Sequence, residues 1–246
     1  MERSLEGRIA VVTGAGRRVG RAIAEGLGAR GAAVVVHYGG SRAGAEAAAR
    51  FIRDSGSRAA LVQGDLTDSR TVDRVFEAAD ELGGCDLLVN SAAIFEKRAL
   101  AEIDGQAWHR MIDTNLAAPF FCCKAAAASM RRKGRGDIVN IVDVGGALRA
   151  WKGYAHYCAA KAGLAAVTRC LALELAPQIR VNAIAPGAIL FPEGYGEEEK
   201  RQVLQAIPLQ RSGSPEDIVQ AVAYLVGGAP FITGQILAVD GGRSIA

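Results

Sequence analysis

The chain has 246 residues, of which 50% are apolar and 22% charged, with a net charge of +3. That balance excludes a disordered tail or a coiled coil, and the small charge excess excludes an extended nucleic-acid or membrane surface. No apolar run approaches the roughly 18 residues of a membrane span, and Met1 to Arg8 hold no apolar signal core, so a cytoplasmic location is expected.

In chain order, Ile9 to Thr13 reads as a buried strand, followed by a Gly/Arg turn and a helix through Arg30. Ala33 to His37 is the next strand, then a helix around Glu46 to Asp54, then a strand from Ala59 to Gln63. Leu87 to Asn90, Ile138 to Val142, Val181 to Ile184 and Ile236 to Val239 continue the series, and a long alanine-rich helix is expected from about Gln106 to Arg132. Strands that are apolar throughout, rather than alternating, belong to a parallel sheet covered on both faces. Their alternation with helices predicts one α/β domain over 1–246, a doubly wound parallel sheet with helices on both faces. Gly145 to Gly153 and the charged Glu193 to Arg201 read as loops at the carboxyl ends of the strands, the edge where such sheets bind ligands.

Thr13-Gly14-Ala15-Gly16-Arg17-Arg18-Val19-Gly20 closes the first strand and opens the first helix. Glycines there let backbone amides approach a pyrophosphate lying on the positive end of the helix dipole. Dinucleotide sites for NAD often place a carboxylate at the end of the second strand to hold the ribose 2′-hydroxyl. Here the segment reads His37-Tyr38-Gly39-Gly40-Ser41-Arg42, and Arg18, Ser41 and Arg42 are suited to surround a 2′-phosphate instead. NADP(H) is therefore the expected cofactor. Tyr157 and Lys161 stand four apart at the start of a helical stretch and share one face. An ammonium beside a phenol stabilises the phenolate and makes the tyrosine an acid/base candidate.

These motifs, together with Asp65-Leu66, Asn90-Ser91-Ala92-Ala93, Asn115, Ile138 to Asp143, Pro186-Gly187 and Thr233-Gly234-Gln235 to Asp240-Gly241-Gly242, resemble the short-chain dehydrogenase/reductase family over nearly the whole chain. The resemblance implies a seven-stranded Rossmann sheet, hydride transfer with a nicotinamide and a homotetramer. It implies Tyr157 as acid/base, Lys161 on the nicotinamide ribose and the tyrosine pKa, and Asn115 on a water-linked proton path. It further implies a cofactor site of Gly14, Arg17, Arg18, Val19, Gly20, His37, Tyr38, Ser41, Arg42, Asp65 (to the adenine), Leu66, Asn90, Ser91, Ala92, Pro186, Gly187 and Ile189. A substrate loop is expected at about 188–210.

Three departures stand out. Asp143 occupies the place of the family's catalytic serine, Arg18 that of a glycine, and Phe95 follows the central asparagine motif. This combination is similar to pteridine reductases, and by that resemblance Phe95 would stack on a pterin, Arg18 would touch phosphate and substrate, and Asp143 would orient Tyr157. The leading expectation is thus an NADPH-dependent reductase of a pterin-like conjugated heterocycle. A carbonyl reductase acting on a 3-oxoacyl, sugar or quinone substrate is the alternative, and a non-catalytic NADP(H) sensor comes third.

Other features read as structure. Five cysteines (Cys85, Cys122, Cys123, Cys158, Cys170) form no CxxC pair, so reduced thiols without a metal are expected, with Cys122 and Cys123 as packing residues. Ser214-Pro215 reads as a helix start. The long helices flanking the Tyr-Lys pair are expected to pack against other subunits through cysteine and alanine faces.

Overall fold

The computed structural model describes residues 4–191 and 194–246. Seven strands form one parallel sheet: β1 (Ile9–Val12), β2 (Ala33–Tyr38), β3 (Ala59–Gln63), β4 (Leu87–Asn90), β5 (Gly136–Ile141), β6 (Ile179–Pro186) and β7 (Ile236–Val239). Their order across the sheet is β3-β2-β1-β4-β5-β6-β7. The connections run outward in opposite directions from β1 and β4, so a crevice opens between those strands at their carboxyl ends. The helices are α1 (Arg18–Ala29), α2 (Arg42–Asp54), α3 (Ser69–Leu82), α4 (Gly105–Ile112), α5 (Ala118–Lys133), the single turn α6 (Val144–Ala147), α7 (Ala155–Leu175), α8 (Glu197–Gln205) and α9 (Pro215–Ala223).

Alternate residues of each central strand feed opposite cores. Ala10, Val12, Val34 and Val36 pack against α1, α2 and α9, through Ile23, Leu27, Ile52, Ile218 and Val222. Ile9, Val11, Ala33 and Val35 pack with Val75, Phe76, Met130 and Leu175 of α3, α5 and α7. Burial on both sides explains the continuous Val/Ile runs, since neither face meets water. Ion pairs gather at the amino ends of the strands, where Asp137 pairs with Arg8 at 2.5 Å and with Arg180 at 2.6 Å, and Asp86 with Lys133 at 2.7 Å. The opposite edge is left free for ligands.

The expected helix over 106–132 is instead α4 and α5 joined by a wide π-type turn at Asp113–Ala117. Pro119 has no N–H to return to the carbonyl of Asn115, so the α-helical ladder cannot run through this point. The loop expected over 145–153 begins with α6, whose Gly145 and Gly146 leave helical geometry at once. Part of the charged loop is helical from Glu197 onward, in α8, while Glu193 lies outside the described residues. Cys122 and Cys123 are fully buried against the sheet, so they pack within this chain and offer no outer face. The outward apolar residues of these helices are Trp108, Phe120, Phe121 and Leu173. Among the described residues no helix is long and apolar enough to cross a membrane, and no cluster of three metal-ligating side chains occurs.

Candidate active site

A cleft of about 1620 Å³ runs along the carboxyl edge of the sheet, from the end of β3 across the glycine turn to the loop after β6. Its floor is the β1–α1 turn. Gly14 has a φ of +67°, and a Cβ there would lie 2.7 Å from the Cα of Ala92. A Cβ on Gly20 would lie 2.4 Å from the carbonyl oxygen of Gly14, so both positions need glycine for the turn to close. Thr13 ties this turn to the next strand, its hydroxyl accepting from the amides of Ser91 and Ala92 at 3.0 and 3.1 Å. Helix α1 has no side-chain N-cap and no acidic residue in its first turn, so its free N–H groups face the cleft unanswered. That is the donor set a pyrophosphate requires, and the cleft fits a dinucleotide.

Most of the expected cofactor residues line this cleft: Gly14, Arg17, Arg18, Val19, Gly20, Tyr38, Ser41, Asp65, Leu66, Ser91, Ala92, Lys161, Pro186, Gly187 and Ile189. Three do otherwise. His37 reaches the cleft wall, but its ring is a strut: Nδ1 accepts from the Gly14 amide at 3.3 Å, and Nε2 lies 3.1 Å from the carbonyl of Gly64. Burial lowers its pKa, in keeping with a neutral ring that donates from Nε2. Arg42 is spent on Glu46, one turn along α2, at 2.8 Å on a solvated face outside the cleft. Asn90 sits in the core, its amide donating to Asn140 Oδ1 at 2.9 Å and to the carbonyl of Pro119 at 3.2 Å. It fixes α5 to β4 and β5 and does not reach the cleft.

Arg18 sits in the left-handed region, with φ of +52°, which explains why a glycine suits that position. Its guanidinium donates to the carbonyl of Leu190 at 2.8 Å, bridging the glycine turn to the loop after β6. Asn115 is also a positioning residue. Its side chain accepts from the Ile94 amide at 3.0 Å and donates to the Ile94 carbonyl at 2.9 Å, pinning the segment that carries Phe95.

At the inner end of the cleft, the Tyr157 hydroxyl donates to Asp143 Oδ2 at 2.8 Å. The other carboxylate oxygen of Asp143 accepts from the Gly145 amide at 2.8 Å, so this residue both caps α6 and holds the tyrosine. Lys161 is buried, donates to the Ile141 carbonyl at 2.8 Å, and lies 5.9 Å from the centre of the Tyr157 ring. Burial governs all three ionisations. It pushes Asp143 up to about 6, against the pull of the Gly145 amide, Tyr157 and Lys161. It brings Lys161 down to about 8, with the charge of Asp143 opposing. It raises Tyr157 well above the usual phenol range, and the charge and hydrogen bond of Asp143 add to the effect.

Aromatic rings wall the mouth. Phe95 lies nearly parallel to Tyr154 at 4.8 Å and edge-on to Tyr157 at 4.9 Å, with Trp151 edge-on at 6.3 Å. One face of Phe95 is thus already covered by Tyr154.

Comparison with known proteins agrees with this geometry. Residues 14–244 match the family described as enoyl-(acyl carrier protein) reductase. The chain is 40% identical to the 3-oxoacyl-[acyl-carrier-protein] reductase FabG of Staphylococcus aureus, over 95% of this chain and 96% of that one. It is 42% identical to the cis-4-hydroxycyclohexanecarboxylate dehydrogenase of Sinomonas cyclohexanicum, covering 96% of each. A crystal structure from Sinorhizobium meliloti, assigned as a short-chain alcohol dehydrogenase, superposes with a TM-score of 0.92 at 36% identity, covering 99% of this chain and 98% of that one. The chain belongs to the short-chain dehydrogenase/reductase family. It is an oxidoreductase of the α/β Rossmann type, and such enzymes use a nicotinamide dinucleotide.

Several cleft residues carry no motif of their own in the sequence. Trp151 and Tyr154 lie on the Gly145–Gly153 loop and its exit, Tyr195 on the loop after β6, and Arg243 on the tail. The only sequence cue is a Trp-Lys-Gly-Tyr run just ahead of Tyr157.

Proposed function

We propose that this chain is an NADP(H)-dependent reductase of a carbonyl group, with Tyr157 as proton donor and Asp143 as the group that aims it. The observation that carries this reading is the hydrogen bond between the Tyr157 hydroxyl and a buried Asp143 carboxyl at the inner end of the dinucleotide cleft. The relatives favour a carbonyl/alcohol pair over a pterin, since their names give a 3-oxoacyl thioester and a ring alcohol as substrates. The covered face of Phe95 also disfavours it as a free platform for a pterin.

The nicotinamide, when bound, supplies hydride to the carbonyl carbon. The protein's part is to place a proton at the carbonyl oxygen. A phenol whose pKa is raised by burial stays protonated across the neutral range, as a reductive acid requires. An ionised Asp143 holds the phenol's proton toward itself. A protonated Asp143 instead donates to the phenol oxygen and turns the phenol's own proton toward the cleft. Lys161, still an ammonium below about pH 8, favours the phenolate left after transfer. The Asn115 carbonyl, which receives no donor from Pro119, would hold by its lone pair a water that returns a proton toward Lys161 and Tyr157. Leu190, bridged to the glycine turn by Arg18, and Tyr195 line the cleft on the side where the substrate would lie. The outward Trp108, Phe121 and Leu173 are assigned to the contacts of a homotetramer, and the site calls for no partner other than small molecules.

NADPH consumption followed with a 3-oxoacyl thioester, ring ketones, quinones and dihydrobiopterin tests the assignment. Turnover of ketones is expected. Turnover confined to the pterin would replace the carbonyl reading. Cofactor choice has its own test at Gly39, which lines the cleft and has open space where a Cβ would stand. Gly39→Asp puts a carboxylate beside the 2′ position and repels a phosphate. The ratio of kcat/KM for NADPH to that for NADH is expected to fall by at least about tenfold, a loss of roughly 1.4 kcal/mol. An unchanged ratio would move the 2′-phosphate site away from the end of β2.

A further inference from the structure

The tail beyond β7 folds back over the cleft. Asp240 turns it, accepting from the amides of Gly242 at 2.9 Å and Ser244 at 2.6 Å. Arg149, on the loop after α6, donates to the carbonyls of Arg243 at 2.5 Å and Ala246 at 2.7 Å. The backbone of Arg243 is therefore fixed from both sides. Its half-buried side chain lines the cleft, with the guanidinium carbon 5.1 Å from the centre of the Trp151 ring. Its charge also reaches Asp143, the group beside the proton donor.

Apart from Arg17, which lies on the glycine turn at the cofactor end of the cleft, the other arginines around the cleft mouth have oxygen partners. Arg18 is satisfied by Leu190, Arg98 and Arg110 by Glu96, and Arg149 by the tail. Among the described residues, the guanidinium of Arg243 makes no hydrogen bond or ion pair to an oxygen, and its close contact is the Trp151 ring. A planar cation laid against an aromatic face keeps its edge free for a bidentate acceptor. Anchoring its backbone beforehand lowers the ordering cost of binding.

Resting on the carbonyl-reductase reading, we infer that Arg243, stacked on Trp151, binds a carboxylate of the substrate, so that the natural substrate is a compact oxo acid. Its carbonyl lies at Tyr157 and its acid group at the tail, with Trp151, Tyr154 and Phe95 against the carbon frame between them. A long acyl thioester, whose carbonyl end carries no free acid, offers nothing to that guanidinium.

The test compares 4-acetylbenzoate with its methyl ester, two ketones that differ by one charge. The wild-type protein is expected to favour the acid by at least about tenfold in kcat/KM. Arg243→Leu is expected to abolish that ratio, chiefly through KM for the acid, and Arg243→Lys to restore part of it. Ligand binding is read separately, by quenching of tryptophan fluorescence on titrating 4-acetylbenzoate into the NADP-loaded protein. Binding that weakens at least about tenfold in Arg243→Leu supports the carboxylate site even if neither ketone is reduced, in which case the carbonyl reading alone fails. Equal binding and equal acid-to-ester ratios in wild type and Arg243→Leu would overturn the carboxylate site while leaving the reductase reading intact.

Discussion

Tyr157→Phe is expected to lower kcat for carbonyl reduction by about a hundredfold to ten-thousandfold, the range that a positioned proton donor supplies. The substitution removes one hydroxyl and keeps the ring against Phe95 and Trp151, so the walls of the cleft persist. The affinity for NADPH, read by quenching of tryptophan fluorescence, should stay within about twofold, because the turn that binds the phosphates lies on β1 and α1. Two residues sense the loss. Asp143 gives up the hydroxyl that favoured its ionised form, so its pKa rises further above about 6. Lys161 keeps its bond to the Ile141 carbonyl and remains buried. The fold loses a single hydrogen bond, on the order of 1 kcal/mol. Turnover within tenfold of wild type would remove Tyr157 from the reaction and leave Asp143 as the proton donor.

The parts of the site that could be read from the chain are those in which one backbone element fixes the geometry. Tyr157 and Lys161 share a helix face by spacing alone, and the glycine turn is dictated by the strand and helix on either side. Asp143 ends β5, and the carboxyl edge of the sheet is where any strand end meets the cleft. The errors arise where a side chain had a choice of partner. Arg42 could reach the cleft or turn along its helix, and Glu46 four residues on settles the choice. Asn90 is an amide next to the site whose NH2 is spent on the carbonyl of Pro119 and on Asn140, which packs α5 against the sheet. A buried amide donor is satisfied by the nearest free acceptor of the fold in preference to a ligand. His37 follows the same logic beneath Gly14. The residues missed altogether, Trp151, Tyr154 and Arg243, meet only because a tail and a loop far apart in sequence converge above Asp143. No local pattern encodes such a meeting.

Asp143→Asn separates the two protonation states of the residue that departs most from the family. In the wild type a carboxyl held near 6 is a donor to Tyr157 below that pH and an acceptor above it, so reductive kcat/KM is expected to fall as pH rises through about 6. Asparagine fixes the donor state. Its oxygen can keep the Gly145 amide while its NH2 donates to the phenol oxygen at every pH. The descending limb near 6 should then vanish, leaving a later decline as Lys161 loses its proton near 8. Stability follows with a definite sign. A carboxyl whose pKa is raised from 3.8 in the unfolded chain to about 6 in the fold contributes fully below the lower value and costs stability as pH climbs through the upper one. The shift of about 2 units corresponds to roughly 3 kcal/mol at most. Asp143→Asn should therefore raise Tm at pH 8 by several degrees, with the gain shrinking toward pH 4. A limb near 6 that survives in the asparagine variant would mean that the proton on Asp143 has no part in aiming Tyr157. A variant inactive at every pH would mean instead that the carboxylate itself is required.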